Sequence, residues 1–238
     1  MLKIDCRDLS WKALNASVRD AVNNGETEFE LFNVNGHRYI GDGIDKSIHI
    51  DIRGIPGNDL GAFMNGPYIK VFNNAQDGVG NTMNGGKVVI NGDAGDVIGY
   101  GMRGGKVFIK GNVGYRTGIH MKAYKDKIPA IVIGGTAGDF LGEYMAGGII
   151  VLLRLTNDWL GDYIGTGMHG GVMYIRGEIS EKLLGKEVGI AGLDENDKKL
   201  LDNLLKEFIS EFSIEIPDTP FVKLYPKSSR PYGKIYAP

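Results

Sequence analysis

The chain of 238 residues has one cysteine, two tryptophans and eight prolines, and its 27 lysines and arginines nearly balance 29 aspartates and glutamates. Each shortage removes a class of protein. A lone Cys6 leaves no internal disulfide framework and no cysteine-built metal cluster. A net charge of −2 lacks the basic excess of a dedicated nucleic-acid binder. The longest apolar run, residues 147–153, is strand-sized and far short of the ~20 residues of a membrane helix. The N-terminal MLKIDCRDLSWK carries charges where a secretory signal needs an apolar core. The sequon Asn15-Ala16-Ser17 therefore has no secretory context, and a cytoplasmic protein without membrane or nucleic-acid partners is expected. Scarce proline and no G-X-Y triplet exclude collagen, and a 42% hydrophobic share excludes a disordered linker.

What the chain has in excess is glycine: 37 residues, of which 31 lie between Gly41 and Gly177. A repeat explains them. The segment GDVIGYGMRGGKVFI, residues 95–109, returns along the chain, and its methionine recurs as Met64, Met83, Met102, Met121, Met145 and Met168. The intervals are 19, 19, 19, 24 and 23 residues. Three residues before each methionine stands a glycine: Gly61, Gly80, Gly99, Gly118, Gly142 and Gly165. Two residues after it comes another, with Ala123 the exception. Each unit holds a short β-branched run (68–71, 87–90, 106–109, 130–133, 149–152 and 172–175), too short for a helix. After the run comes Gly-x-x-Gly-x-x-x-Gly, a spacing that would weaken a helix by ~1 kcal/mol per glycine and suits a backbone that turns several times per unit.

One firm strand, one weaker extended stretch and tight corners per ~19 residues describe the coil of a β-solenoid, with coils ~4.8 Å apart and alignment columns turned into ladders in space. The expected fold is mainly β: a right-handed parallel β-helix of six to seven coils with terminal helices. Residues 1–47 read as an N-terminal helix and hairpin cap, 48–180 as the β-helix, and 181–238 as a C-terminal helix and extended tail. The helix expected near residues 8–24 puts Leu14, Val18 and Val22 on one face. Asn35-Gly36 is a two-residue hairpin signal. Asp194 caps a second helix carrying Leu200, Leu201, Leu204, Leu205, Phe208, Ile209 and Phe212 on one stripe. Both helices are positioned to cover the open ends of the solenoid.

The methionine column and the column Leu60, Val79, Ile98, Thr117, Leu141, Ile164 are expected inside, with methionine as flexible core filler. A third column, Asn58, Asp77, Asp96, Tyr115, Asp139, Asp162, stacks carboxylates at coil spacing, where neighbours repel by ~1 kcal/mol in water. Two readings offset that cost: each carboxylate accepts a turn N–H, or a cation sits in a ladder of Asp77, Asp96, Asp139 and Asp162. The runs Gly99-Tyr-Gly101-Met-Arg-Gly104 and Gly165-Thr-Gly167-Met-His-Gly170 spell G-x-G-x-x-G but lead into strands, whereas a dinucleotide fold needs a helix after the glycines. His37, His49, His120 and His169 show no metal-ligand spacing, and no serine or cysteine has a nucleophile's context, so no catalytic, cofactor-binding or metal residue is assigned.

The runs RGIPGNDLGAFMNGP, AGDVIGYGMRGGKVFIKG, GDFLGEYMAGGIIVLL and GTGMHGGVMYI resemble the glycine-rich (GXGXG) C-terminal domain of the glutamate synthase large subunit, in the form where that domain is a separate polypeptide. The resemblance covers roughly residues 5–180 and is most specific at 138–148. It implies a non-catalytic β-helix in an oxidoreductase complex of nitrogen metabolism that transfers ammonia from glutamine to 2-oxoglutarate for glutamate biosynthesis. It implies a glutamine amidotransferase subunit and a flavin/iron–sulfur synthase subunit as partners, with FMN and an iron–sulfur cluster held there. The C subunit of formylmethanofuran dehydrogenase carries a similar repeat and is the alternative, together with a free-standing β-helix or homo-oligomer of unassigned role. Hexapeptide acyltransferases need multiples of six, which 19 is not, and the scattered Arg103, Lys122 and His169 make no pectate-lyase-like set. The coils depart from the repeat by inserts at residues 125–129 and near 154–159, so Tyr124, Trp159 and Tyr163 are candidate partner contacts.

Overall fold

A computed structural model describes residues 1–156 and 159–229; Asn157 and Asp158 of the second insert, and the last part of the expected tail, lie outside the described residues. The chain forms one eleven-stranded sheet in the order β1-β2-β3-β4-β5-β6-β7-β8-β9-β11-β10. Strands β1 (Leu2–Asp5), β2 (Glu28–Asn35), β3 (His49–Ile55), β4 (Asn65–Val71) and β5 (Gly85–Ile90) are followed by β6 (Lys106–Ile109), β7 (Ala130–Ile133), β8 (Ala146–Leu152) and β9 (Gly170–Arg176). All neighbours from β1 to β9 pair in parallel, and Tyr68, Lys87, Lys106, Ala130, Ile149 and Val172 stand in one register column. The fold is a parallel β-solenoid of about seven turns, with two α-helices among the described residues.

Pairing continues past the strands. Val97 N–H donates to the Tyr115 carbonyl (2.8 Å), Gly99 N–H to Val79 (2.7 Å) and Arg103 N–H to Met83 (2.8 Å), so the corners stack coil on coil like the sheet. That leaves few backbone groups unpaired inside a structure with no second sheet to supply partners. Along each strand alternate side chains point in and out. Val88, Ile90, Val107, Ile109, Ile131, Ile133, all fully buried, fill the interior together with the six methionines of the column. Thr117, in a column otherwise aliphatic, is fully buried with a hydroxyl that lacks a hydrogen-bond partner.

The glycine column before the methionines has φ between 68° and 76° at all six positions. Gly99 illustrates why glycine is favoured: at φ +68° the backbone is left-handed, and a Cβ would sit 2.5 Å from Cδ1 of Ile131 across the interior, so that the end of the Ile131 side chain would have to move.

The Asn35-Gly36 hairpin is corrected. Gly36 N–H donates to Ile55 (2.8 Å) and Tyr39 N–H to Asn58 (3.0 Å), so the chain after β2 pairs with the next coil instead of folding back on β2. Strand β2 is itself parallel to β3, with Glu28 opposite His49. Coils therefore begin within the segment expected to be a cap. Ile44 stands where later coils have methionine, behind Gly41 at φ +77°, which is why a search for Gly-x-x-Met passes over this coil. At the other end, Ile164 bridges Leu184 in parallel beyond residue 180.

Helix α1 (Trp11–Asn23), capped by the Ser10 side chain, turns Leu14, Val18 and Val22 into the interior cluster at the first coil. Helix α2 (Glu195–Phe212) does not cover an end; it lies on the outer face of the sheet. Its Leu201, Leu204, Phe208 and Phe212 pack on outward residues that include Val89, Phe108, Val132, Val151 and Tyr174. Burying each such side chain contributes about 1.5–3 kcal/mol. The outward column changes accordingly, from Tyr68, Lys87 and Lys106 to Ala130, Ile149 and Val172. Over the lysines α2 presents acids: Glu211 accepts from Tyr68 (2.7 Å) and Lys87 (3.1 Å), and Glu207 pairs with Lys87 (3.2 Å) and Lys106. The capping box of Asp194 and Asp197 starts the helix, and Asp197 also takes bonds from Tyr174 (2.7 Å) and Lys223 (2.7 Å). The tail runs extended over the protein's own surface as β11 (Phe221–Pro226), antiparallel between β9 and β10 (Val188–Ala191).

Replacing Gly99 by Ala is expected to cost about 2–4 kcal/mol in urea unfolding. Gly192→Ala, at a glycine with open space and no left-handed φ, should change stability little. A second outcome concerns acid. Burial opposes ionisation of Glu207 and Glu211, but the bonds from Lys106 and Lys87 to the first, and from Tyr68 and Lys87 to the second, outweigh it and hold both below the usual carboxylate range. Their contribution is complete above the unfolded value of ~4.3 and is lost as pH falls through the lower folded values. Urea midpoints measured between about pH 6 and pH 3 should fall more steeply for the native protein than for Glu207→Gln/Glu211→Gln.

Candidate functional site

Two kinds of corner join the strands, and the chemistry-bearing columns lie on them. After each strand run two ladders of Asn and Asp. In one, Asn74 Oδ1 accepts the N–H of Asp93 (2.9 Å), Asp93 that of Asn112 (2.7 Å) and Asn112 that of Thr136 (3.0 Å). In the other, Asp77 accepts from Asp96 (2.9 Å), Asp96 from Tyr115 (2.8 Å) and Asp139 from Asp162 (2.9 Å). Each acceptor serves the coil that follows, not its own turn. It also occupies the space a Cβ would fill on the preceding residue of that coil: Asp77 Oδ1 beside Gly95, Asp96 Oδ1 beside Gly114, Asp93 Oδ1 beside Gly111. The Gly-Asp and Gly-Asn pairs are thus one device, a side-chain oxygen seated where a glycine leaves room.

Repulsion along the ladders is limited by composition. Asp93 stands between Asn74 and Asn112, and Tyr115 separates the Asp77–Asp96 pair from Asp139 and Asp162. Asp77, Asp93, Asp96 and Asp139 each have one oxygen engaged by a backbone N–H, and no cluster of three or more His, Cys, Asp or Glu side chains suited to a metal occurs among the described residues.

The second corner precedes the methionines. Here the positions five and one before the methionine take left-handed backbone whether or not the residue is glycine: Val97 (φ 52°), Arg116 (56°), His120 (54°), Phe140 (64°), Tyr144 (51°) and Tyr163 (62°). Their side chains form two rows. Arg116 lies 4.9 Å over Phe140, which stacks on Tyr163 at 5.0 Å. Tyr100 meets His120 edge-on at 5.9 Å, and His120 stacks on Tyr144 at 5.4 Å. Between them Glu143, 7% exposed, accepts from Arg116 Nε (2.9 Å). The sequence reading missed these rows except for Tyr163; aligning the positions five, two and one before each methionine would have exposed them.

The candidate partner contacts do not converge. Tyr124, Trp159 and Tyr163 are 51%, 58% and 56% exposed. Tyr124 sits in an insert before β7 that folds back so that Lys127 reaches Asn65 (2.9 Å) and Asn84 (3.0 Å). Trp159 belongs to the insert after β8, where its carbonyl accepts from Thr136 and Thr156 donates to Asn112 (2.9 Å). The inserts leave at opposite ends of the strand. Of the other histidines, His37 is buried and ties Asn35 N–H (3.1 Å) and the Leu9 carbonyl (2.9 Å), and His49 bonds Asp51 (2.8 Å). Cys6 is buried, and burial first, then the Asp5 charge, pushes its thiol up to about 11, which keeps it protonated.

Fold and site together define a β-solenoid whose polar groups are largely engaged in holding coil to coil. A family model described as "GXGXG motif" matches residues 27–237, from the first coil to the tail. The chain belongs to the GXGXG family, the kind of domain found in glutamate synthase. It is also 47% identical over 250 aligned residues to the uncharacterized protein MJ1350 of Methanocaldococcus jannaschii, covering 99% of this chain and 96% of that protein. No helix among the described residues is long and apolar enough to cross a membrane.

If the ladders rest on N–H acceptance, Asp96→Asn, which keeps the acceptor as Asn74 and Asn112 do, should melt within a degree or two of the native protein. Asp96→Ala should lose roughly 1 kcal/mol. Millimolar calcium should leave all three melting temperatures in place; a calcium shift abolished by Asp96→Asn would instead point to the cation ladder.

Proposed function

We propose that this protein is a structural, non-catalytic subunit of a glutamate synthase-type complex, holding a glutamine amidotransferase subunit and a flavin/iron–sulfur synthase subunit together. The observation that carries this reading is the GXGXG match across nearly all the coils, in a chain whose relative has almost the same extent. The chemistry of the residues is in keeping with it. An iron–sulfur cluster takes several thiolates, and the single thiol here is buried and held protonated, so these residues do not fit such a cluster. On this reading the cluster and FMN belong to partners, and the contribution of this chain is geometry: a rigid rod of stacked coils against which two larger subunits dock.

Purification of the tagged protein from its native cells, with mass spectrometry of what remains bound, tests the proposal. The expected result is recovery with a flavin-binding and an amidotransferase subunit. Recovery with formylmethanofuran dehydrogenase subunits, or with neither expected partner, overturns it.

A further inference from the structure

We propose that the corner carrying the rows Arg116–Phe140–Tyr163 and Tyr100–His120–Tyr144 is a docking surface for an arginine-rich segment of a partner protein. This deepens the reading of the chain as an assembly subunit and rests on it.

Three observations converge on this face. The first is exposure: Tyr100, Tyr115 and Tyr163, on the turns of Met102, Met121 and Met168, are 42%, 53% and 56% exposed, and Phe140 and Tyr144 on the turn of Met145 are half-buried. Rings already packed on one another at 5.0–5.9 Å, two pairs stacked and one edge-on, present apolar area whose side-chain freedom is largely lost before binding.

The second is the backbone beneath them. Gly78, Gly101 and Gly167 hold the same left-handed columns with φ between 58° and 72°, and there glycine has no steric cost. At Arg116, His120, Phe140, Tyr144 and Tyr163 bulky residues adopt that conformation instead, at a cost of about 1–2 kcal/mol each. Nothing in the packing asks for them, since Leu141, Ile164 and the methionines already fill the interior. The same columns also take Asp59, Phe63, Thr82 and Val97, so these are positions that accept side chains outside the filled interior, and from Arg116 to Tyr163 they are given to large, mostly aromatic groups.

The third observation is charge, and it selects the occupant. The ladder carboxylates Asp77, Asp96, Asp139 and Asp162 each stand one residue before a left-handed corner position (Gly78, Val97, Phe140 and Tyr163), and together with Asp59 and Glu143 they are set against Arg103, Arg116 and Lys122 beside the rows. The excess of three negative charges exceeds the −2 of the whole chain. An acidic rim around exposed π-faces repels nucleic-acid phosphate and anionic lipid, and attracts a guanidinium that pairs with carboxylates and stacks on Tyr or Phe. The fold displays the geometry once already, in Arg116 set between Glu143 and Phe140.

The test uses the full-length protein with two synthetic peptides, one of alternating arginine and glycine and one of alternating glutamate and glycine, followed by fluorescence anisotropy. The arginine peptide should bind with an affinity that falls as salt rises, and the glutamate peptide should not bind. Phe140→Ser/Tyr163→Ser should weaken arginine-peptide binding at least tenfold. Because that variant keeps a Cβ on the left-handed backbone and loses the ring stack, its melting curve is recorded. Asp162→Asn, which removes one charge and leaves the Asp162 N–H bond to Asp139 in place, provides a second reading and should weaken binding two- to fivefold. No binding of the arginine peptide, or equal binding by native protein and both variants, overturns the proposal. Recovery of both expected subunits from native cells by the Phe140→Ser/Tyr163→Ser protein, at native levels, also overturns this surface while leaving the scaffold reading intact. Absence of those subunits with native protein alongside tight arginine-peptide binding does the reverse. Self-association of the native protein abolished by the double variant would show the corner is occupied by a second copy, and overturns the proposal as well.

Discussion

Everything in this molecule follows from the closeness of one coil's backbone to the next. In a parallel solenoid the main chain pairs with its neighbours around the perimeter, so the ~4.8 Å spacing of strands also applies at the corners. Side chains at corners then have almost no room. Glycine is the response wherever an oxygen or a carbonyl of the adjacent coil occupies the Cβ position, as at Gly95 and Gly111. The composition is a consequence of stacking and needs no nucleotide site to explain it.

The same closeness decides what polar side chains do. A carboxylate at a corner lies within reach of the next coil's N–H before it can reach anything else, so Asp77, Asp96 and Asp139 become part of the backbone network. Groups freed from that role lie outside the stack. The lysines and Tyr68 of the outer sheet face take up Glu207 and Glu211. Where the outer column turns apolar, Phe208 and its neighbours close it off. Helix α2 therefore spans several coils at once, tying together units that otherwise touch only their neighbours.

The repeat made the solenoid legible because periodic glycines and methionines report directly on the stack. It was least legible where a rule of local structure competed with the repeat. Asn35-Gly36 is a sound hairpin signal in isolation, yet the backbone beyond it found partners on β3 and the residues after it, and tertiary pairing overrode the turn. Ile44 replaced methionine and hid a coil. The position of α2 was written in the change from Lys106 to Ala130 and Ile149, but only once strand register shows that these residues face outward together. The aromatic rows were hidden for a different reason: their residues are far apart in sequence and become neighbours only through columns.

A quasi-one-dimensional fold of this kind converts sequence columns into fixed spacings, and that bears on what it can do. Its interior is filled by methionine and aliphatic side chains, and its corner acceptors are bound to backbone. Reactive chemistry needs groups that converge from different directions on one point, whereas ladders set like groups side by side along a line. What a ladder does well is repeat a contact at regular intervals on a stiff support. The left-handed corner positions, tolerated as Phe, Tyr and His where glycine would be cheapest, are the places where this chain departs from its own structural economy. The departure lies on successive coils, with an excess of acidic side chains around it. In a molecule whose other residues are accounted for by stacking, that face is where recognition has room to act.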